Sequence, residues 1–444
     1  MVAFSTLSPE DQATALHVRK VYAHLEQVGV PGDGFADGIE RTREHRRLST
    51  NPHTQQSIDL TEPELAVLRC ADRYGFFKNP GSERLIPLNP RTFFPSTISK
   101  PNPEVNSITH QSSKEHEIEA NRISKWTEML EGDKRDEGSN IISYKLSDEW
   151  ESQRERFSKR CYKGIPDRWR RAAWDLLIKD YGIRNQVGKW ESVEALFEKF
   201  EEDAMLPSDQ DVQIDLDVPR TINGHVFFHT RYGRGQRALF QVLHAFGMYC
   251  ETCGYCQGMG PIAATLLNYF DAQMAYVCMV RLHDWYNLHT IFAPGFPGMV
   301  ECFYVQERVI EYLLPDVHNT FTAQMISTSS YATKWYITLF ANTVPFEAQL
   351  RLWDVLFLDG IDVLILASVA IVYALRGQLG PGNDFEMILS KLGGRFELGE
   401  GGAIGWIRSI RKLGRRKDLR SIMSSARVKW KGFVKDGSAS KMVT

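Results

Sequence analysis

From residue 162 onward, apolar side chains recur at helical rather than strand spacing, and this periodicity constrains the fold more than any other feature. Leu239, Val242, Leu243 and Phe246 fall at i, i+3, i+4 and i+7, and Val309, Tyr312 and Leu313 begin the same pattern; a helix burying one face requires that recurrence. Alternating apolar and polar runs are scarce, so strands have little from which to form. Pro166, Pro219, Pro261, Pro297, Pro315 and Pro345 fall at plausible helix starts or loops, where a missing backbone N–H costs little. An all-helical domain is expected. The longest apolar stretch, 363–375, falls short of the about 20 residues needed to cross a bilayer and predicts a buried helix.

Two short segments concentrate the candidate chemistry. Residues 214–220 read IDLDVPR, which fits IxxDxxR and ends on Arg220; residues 254–259 read GYCQGM, which contains YxQGM and presents Gln257. Arg220 follows Pro219 and precedes the turn-like stretch 221–224, a setting that holds a guanidinium out at a surface, and its planar fork suits bidentate phosphate contact. Read alone, it is more simply a structural arginine paired with Asp217 or Asp215, since arginines are common ion-pair partners. GxxxxGK[ST] is missing, and the glycines at 399–405 do not fit GxGxxG in register. A nucleotide handled by these groups therefore belongs to a partner.

The segment 163–174 (KGIPDRWRRAAW) resembles the KGIPxxxRxxxW opening of the TBC family of Rab GTPase-activating proteins; 335–340 (WYITLF) and 350–360 (LRLWDVLFLDG) resemble its WxxxLF and LRxWDxxFxxG segments. With IxxDxxR and YxQGM in the same order, the resemblance covers roughly residues 160–380. It implies an all-α, two-lobed helical fold. It implies an activator, not itself the enzyme, that accelerates GTP hydrolysis by a Rab-type small GTPase in vesicle trafficking. Arg220 would be the arginine finger and Gln257 a glutamine finger at the attacking water. Asp217 would orient the finger or its loop, Tyr255 would fix the direction of Gln257, and Gly258 would allow close backbone approach. Arg170 would contact either the GTPase or an internal carboxylate, whereas Trp353 and Asp354 read as structural. GTP and Mg²⁺ would sit on the GTPase, with no cofactor in this chain. Gly260 departs from the small polar residue common at that place in the family and puts some local hydrogen bonding in question. A non-catalytic GTPase-binding scaffold is the alternative function.

The seven cysteines, with no basic and apolar leader at the N-terminus, predict reduced thiols in a cytoplasmic setting. Cys250, Cys253 and Cys256 form CxxCxxC, a metal-ligand spacing without a nearby pair to complete it, so no metal is expected. His225 and His229 lack the glutamate of HExxH and read as packing residues. The formal charge of −2, from 53 basic and 55 acidic side chains, gives no global field for nucleic acid.

The expected organisation is an N-terminal region over 1–155, a TBC domain over 156–380 and a basic helical extension over 381–444. Residues 9–28 predict an amphipathic helix. Residues 89–113, rich in Pro, Ser, Thr and Asn, predict a flexible linker in a partly disordered region. Trp126, Met129 and Leu130 predict an apolar helix face. In 406–435, basic residues interleave with Ile407, Ile410, Leu413, Leu419, Ile422 and Met423. This segment either covers the main domain or meets an anionic membrane surface or acidic partner, the latter consistent with a protein peripheral to endomembranes.

Overall fold

The computed structural model describes residues 7–30, 33, 70–77, 85–87, 108–135, 139, 141–188, 190–398 and 402–439. In chain order its principal helices are α1 (Pro9–Val28), α2 (Ile108–Met129), α3 (Arg154–Lys163), α4 (Asp167–Arg184), α5 (Val193–Met205), α6 (Asp211–Thr221), α7 (Arg234–Tyr249), α8 (Met259–Leu267), α9 (Ala272–Trp285), α10 (Pro297–Leu313), α11 (Pro315–Ala323), α12 (Ser329–Ile337), α13 (Phe346–Asp359), α14 (Asp362–Leu375), α15 (Phe385–Leu392), α16 (Gly402–Gly414) and α17 (Lys417–Lys435). The strands are short: β1 (Leu85–Pro87) pairs in parallel with β4 (Arg395–Glu397), and β2 (Leu130–Arg135) pairs antiparallel with β3 (Ile141–Leu146). The chain folds as two compact units, one from Met1–Glu83 and Gly188–Gly295, the other from Arg84–Val187 and Phe296–Thr444.

In the first unit, α7 is the hub and packs on α5, α6, α8 and α9. Its predicted face, Leu239, Val242, Leu243 and Phe246, is buried, as are Phe240 and Ala245 on other sides, because neighbours surround it. The flanking helices begin on side-chain caps: Ser192 Oγ accepts from the Ala195 amide at 3.0 Å, and Asp271 Oδ1 accepts from the Met274 amide at 2.9 Å. Each satisfies an orphan donor of a first turn. Helix α1 matches the predicted 9–28, opens on Pro9 behind the cap Ser8, and stacks Tyr22 on Phe240 of α7 with ring centroids 3.9 Å apart.

In the second unit, α13 packs against α3, α4, α14 and α16. Asp354, fully buried on α13, explains the 163–174 segment. Its carboxylate accepts from the Ile165 amide (3.2 Å), Arg170 Nε (3.1 Å) and the Trp174 indole (2.8 Å). Gly164 turns with φ +111°, and a Cβ there would lie 2.7 Å from Arg351 Cζ, whose guanidinium donates to the Lys163 carbonyl at 2.9 Å. Glycine is thus required by both backbone angle and space. The apolar 363–375 run lies in the buried α14, and no described helix is long and apolar enough to cross a membrane.

Several expectations are corrected. The hairpin β2–β3 was not anticipated, because five of the six residues of β2 are exposed polar or glycine positions without alternation. Leu130 therefore opens a strand, while Trp126 and Met129 do bury the face of α2. Of the linker 89–113, residues 108–113 begin α2, and the remainder lies outside the described residues. Tyr312 is 52% exposed; the buried face of α10 runs through Cys302, Val305, Gln306 and Val309 instead. The basic C-terminal segment is two helices, whose Trp406, Ile407, Ile410, Leu419, Met423 and Trp430 are buried. There α16 packs on α13 and α14, and α17 on α10, so the segment covers its own unit.

Candidate functional site

Arg220 stands in the last turn of α6, which runs on through Pro219 to Thr221 and then gives way to the expected turn over 222–224. Proline cannot donate to the carbonyl four residues back, that of Asp215. Arg231 Nη1 supplies the missing donor to that oxygen at 3.3 Å. The Arg220 side chain is nevertheless 60% exposed, as expected of a guanidinium held at a surface.

The paired carboxylate is Asp217. Its Oδ1 accepts from Arg220 Nε at 3.0 Å, also from Arg220 Nη2, and from Gln213 Nε2 at 3.1 Å; its Oδ2 accepts from the Tyr255 hydroxyl at 2.8 Å. Asp217 is buried, so these donors replace the water that a carboxylate would otherwise hold. The hydrogen bond and charge of Asp217 push Arg220 above the ordinary guanidinium range. Burial, followed by the hydrogen bond to Asp217, pushes the Tyr255 phenol up, keeping it a donor. Asp215 is taken by Tyr22, whose hydroxyl donates to Oδ1 at 2.8 Å, and by Arg231 Nη2 at 2.7 Å. Helix α1 therefore braces the helix that carries Arg220, a role not foreseen for the N-terminal region.

Gln257 lies on the loop between α7 and α8, two residues beyond Tyr255. It is exposed, and its carboxamide makes no hydrogen bond among the described residues. Gly258 is the N-cap of α8 with φ −74°, so no left-handed angle demands glycine there. The loop is pinned from α6 by Gln210, whose Oε1 accepts the Tyr255 amide at 2.6 Å. Gly254 adopts φ +56°, and a Cβ on it would sit 2.3 Å from Gln210 Nε2. Likewise, a Cβ on Gly260 would meet Thr221 Oγ1 at 2.9 Å, beside Arg220. The glycine lets α8 approach the end of α6. Asp211 anchors the start of α6 by accepting from the Ser208 amide at 3.1 Å and contacting His244 Nδ1 of α7. Sequence reading missed Gln210, Gln213, Asp211 and His244; their only signal was nearness to the motif.

Arg170 lies elsewhere. It is 3% exposed inside the second unit, bonded to Asp354, to Asp167 at 2.7 Å and to the Ile165 carbonyl at 2.7 Å. Of its two expected roles, the internal carboxylate is the one observed. His225 is buried, contacts the Tyr74 carbonyl at 2.8 Å and caps the Phe227 amide, as a packing residue should. The CxxCxxC reading needs correction: the fold brings His283 and His289 to Cys250 and Cys253, with Cys256 outside the group.

A model of the Rab-GTPase-TBC domain matches residues 167–379. A TBC domain-containing protein of Schizosaccharomyces pombe is 30% identical over 371 residues, covering 76% of this chain and 83% of that protein. TBC1 domain family member 10B of Mus musculus is 33% identical over 238 residues, covering 52% of this chain and 28% of that protein. Among solved structures, the Ypt/Rab-GAP domain of Gyp1p aligns with a TM-score of 0.50 at 15% identity, covering 66% of this chain and 98% of that one, a likeness of fold alone.

Proposed function

The chain belongs to the Rab-GTPase-TBC domain family, and from that premise we propose that it accelerates GTP hydrolysis on a Rab-type small GTPase by supplying Arg220 and Gln257 in trans. The observation that carries this reading is the Asp217 junction. One buried carboxylate holds the exposed Arg220 and, through the Tyr255 hydroxyl, the loop that presents the exposed Gln257. An arginine supplied in trans stabilises the charge of a transferring γ-phosphoryl group, and a glutamine orients the attacking water. The guanidinium must exchange Asp217 for phosphate oxygens, or share itself between them. Only the Arg220 end of the pair is exposed, but Gln213 and Tyr255 stay on the buried Asp217 when the guanidinium leaves, and an arginine finger is worth about 10³–10⁵ in rate, so the exchange favours the transition state. GTP and Mg²⁺ belong to the partner. The exposed Arg408, Lys417 and Lys429 offer cationic groups to an anionic endomembrane surface, testable by cosedimentation with anionic vesicles.

The deciding experiment is single-turnover GTP hydrolysis by a panel of purified Rab GTPases with wild-type protein, Arg220→Ala and Gln257→Ala. Acceleration by wild type and by neither variant supports the two-finger activator. A Rab that binds without responding to wild type would overturn it in favour of a non-catalytic scaffold.

A further inference from the structure

We propose that Cys250, Cys253, His283 and His289 bind one zinc ion, a structural site that ties the turn ahead of Gln257 to helix α9. Their ligand atoms all lie within 4.8 Å of one another. Zinc takes thiolate at about 2.3 Å and imidazole at about 2.0–2.1 Å in a tetrahedron, which sets ligand separations of about 3.3 Å between two nitrogens and about 3.6 Å between nitrogen and sulfur. Four of the six separations lie close to these values, and the other two are within 4.8 Å. His289 Nδ1 is 3.1 Å from His283 Nε2, 3.3 Å from Cys253 Sγ and 3.6 Å from Cys250 Sγ, and Cys253 Sγ is 3.5 Å from His283 Nε2.

The surroundings suit a cation. Two thiolates neutralise Zn²⁺, so the partly buried group carries no net charge once loaded. Asp284 Oδ1 lies 2.6 Å from His283 Nδ1, and its other oxygen accepts the Tyr249 hydroxyl at 2.6 Å. A carboxylate on Nδ1 places the ring proton there and leaves the Nε2 lone pair facing the thiols, the usual outer-shell arrangement of a ligating histidine. A mixed sulfur and imidazole set of four favours zinc over the hard cations. The ligands come from the end of α7, the following turn, α9 and the segment after it, so one ion fastens the turn after α7 to α9 and to the segment that follows α9. Gly254, next to Cys253, already closes on the Cys250 carbonyl at 2.8 Å; the metal would fix that turn from its other side. Steadying of Gln257 follows only if the proposed function holds, whereas metal binding does not depend on it.

The test is metal analysis of the full chain, purified without chelator under reducing conditions and with any affinity tag removed. The expected result is about one zinc per chain, a tenfold or greater loss in Cys253→Ser and in His283→Ala, and retention in Cys256→Ser. Because a ligand variant can fail to fold, wild-type protein is also exchanged into Co²⁺, where strong visible bands and a thiolate charge-transfer band report a tetrahedral sulfur-containing site. Zinc-free wild-type protein with no cobalt spectrum would overturn the proposal, identifying a hydrogen-bonded cluster. A Cys250–Cys253 disulfide in the reduced preparation, or loss of metal in Cys256→Ser but not Cys253→Ser, would overturn it equally. None of these readouts uses GTP hydrolysis, so failure of the metal site and failure of the activator reading are separable.

Discussion

Replacing Tyr255 with phenylalanine keeps the ring and removes one atom, the hydroxyl that donates to Asp217 Oδ2 at 2.8 Å. Asp217 is 3% exposed, so water does not take the vacated place. A hydrogen bond to a charged group contributes about 1.5–3 kcal/mol net. Gln213 and Arg220 remain on the other oxygen, which favours the lower part of that range, about 1.5–2 kcal/mol. At about 2–4 °C per kcal/mol for a cooperative unit of roughly 150–250 residues, Tm should fall by about 3–8 °C. The pH dependence has a definite sign. The folded phenol is pushed above its ordinary value by burial and then by Asp217, so its contribution is complete below the unfolded pKa of about 10 and shrinks as pH rises beyond it. Thermal unfolding of wild type, Tyr255→Phe, Asp217→Asn and the double variant forms a cycle, in which the double should lose at least about 0.5 kcal/mol less than the sum. Additivity within about 0.3 kcal/mol would refute a contributing bond. In the hydrolysis assay, Tyr255→Phe should retain more acceleration than Gln257→Ala, since it loosens the loop without removing the glutamine.

Arg220→Ala should abolish acceleration yet keep Tm within about 2 °C of wild type, because removing this exposed side chain opens Asp217 Oδ1 to water while Gln213 and Tyr255 stay bonded; a large fall would place the arginine in a structural role. Asp354→Ala leaves Asp167 as the only carboxylate on the buried Arg170 among the described residues and takes the acceptor from the Ile165 amide and the Trp174 indole, and it should cost about 3–5 kcal/mol by urea unfolding. A cost below about 1 kcal/mol would show that Asp354 is not the anchor of the 163–174 turn. Gly254→Ala meets both the φ of +56° and the Gln210 carboxamide. It should cost about 1–3 kcal/mol and weaken acceleration by displacing the loop; an unchanged Tm would count against the pinning by Gln210.

The legible part of the site was the part that lies close along the chain. Asp217 and Arg220 share one helix turn, and Tyr255 and Gln257 share one loop, so short motifs exposed them. Gln210 meets Tyr255 across 45 residues, and His283 and His289 meet Cys253 across 30 and 36; only the packing of α6 and α9 around α7 creates those meetings. Helical periodicity identified the fold class because buried faces leave a record in apolar spacing. It could not find β2, whose exposed polar residues leave none. It misjudged Pro219 because the compensating donor, Arg231, comes from outside the helix. Arg170 and Asp354 were both noticed, but their pairing depends on α4 packing against α13.

The alternation of the two units along the chain has a consequence for synthesis on the ribosome. Helix α1 emerges early, but its partners Asp215 and Phe240 follow roughly 200 residues later, a wait of about 10–40 s at about 5–20 residues per second. During that interval the unpartnered Tyr22 face is available to chaperones, and the second unit cannot close until α17 has left the exit tunnel. Synonymous codon changes that slow translation between residues 30 and 210 would lengthen that exposure without altering a single side chain.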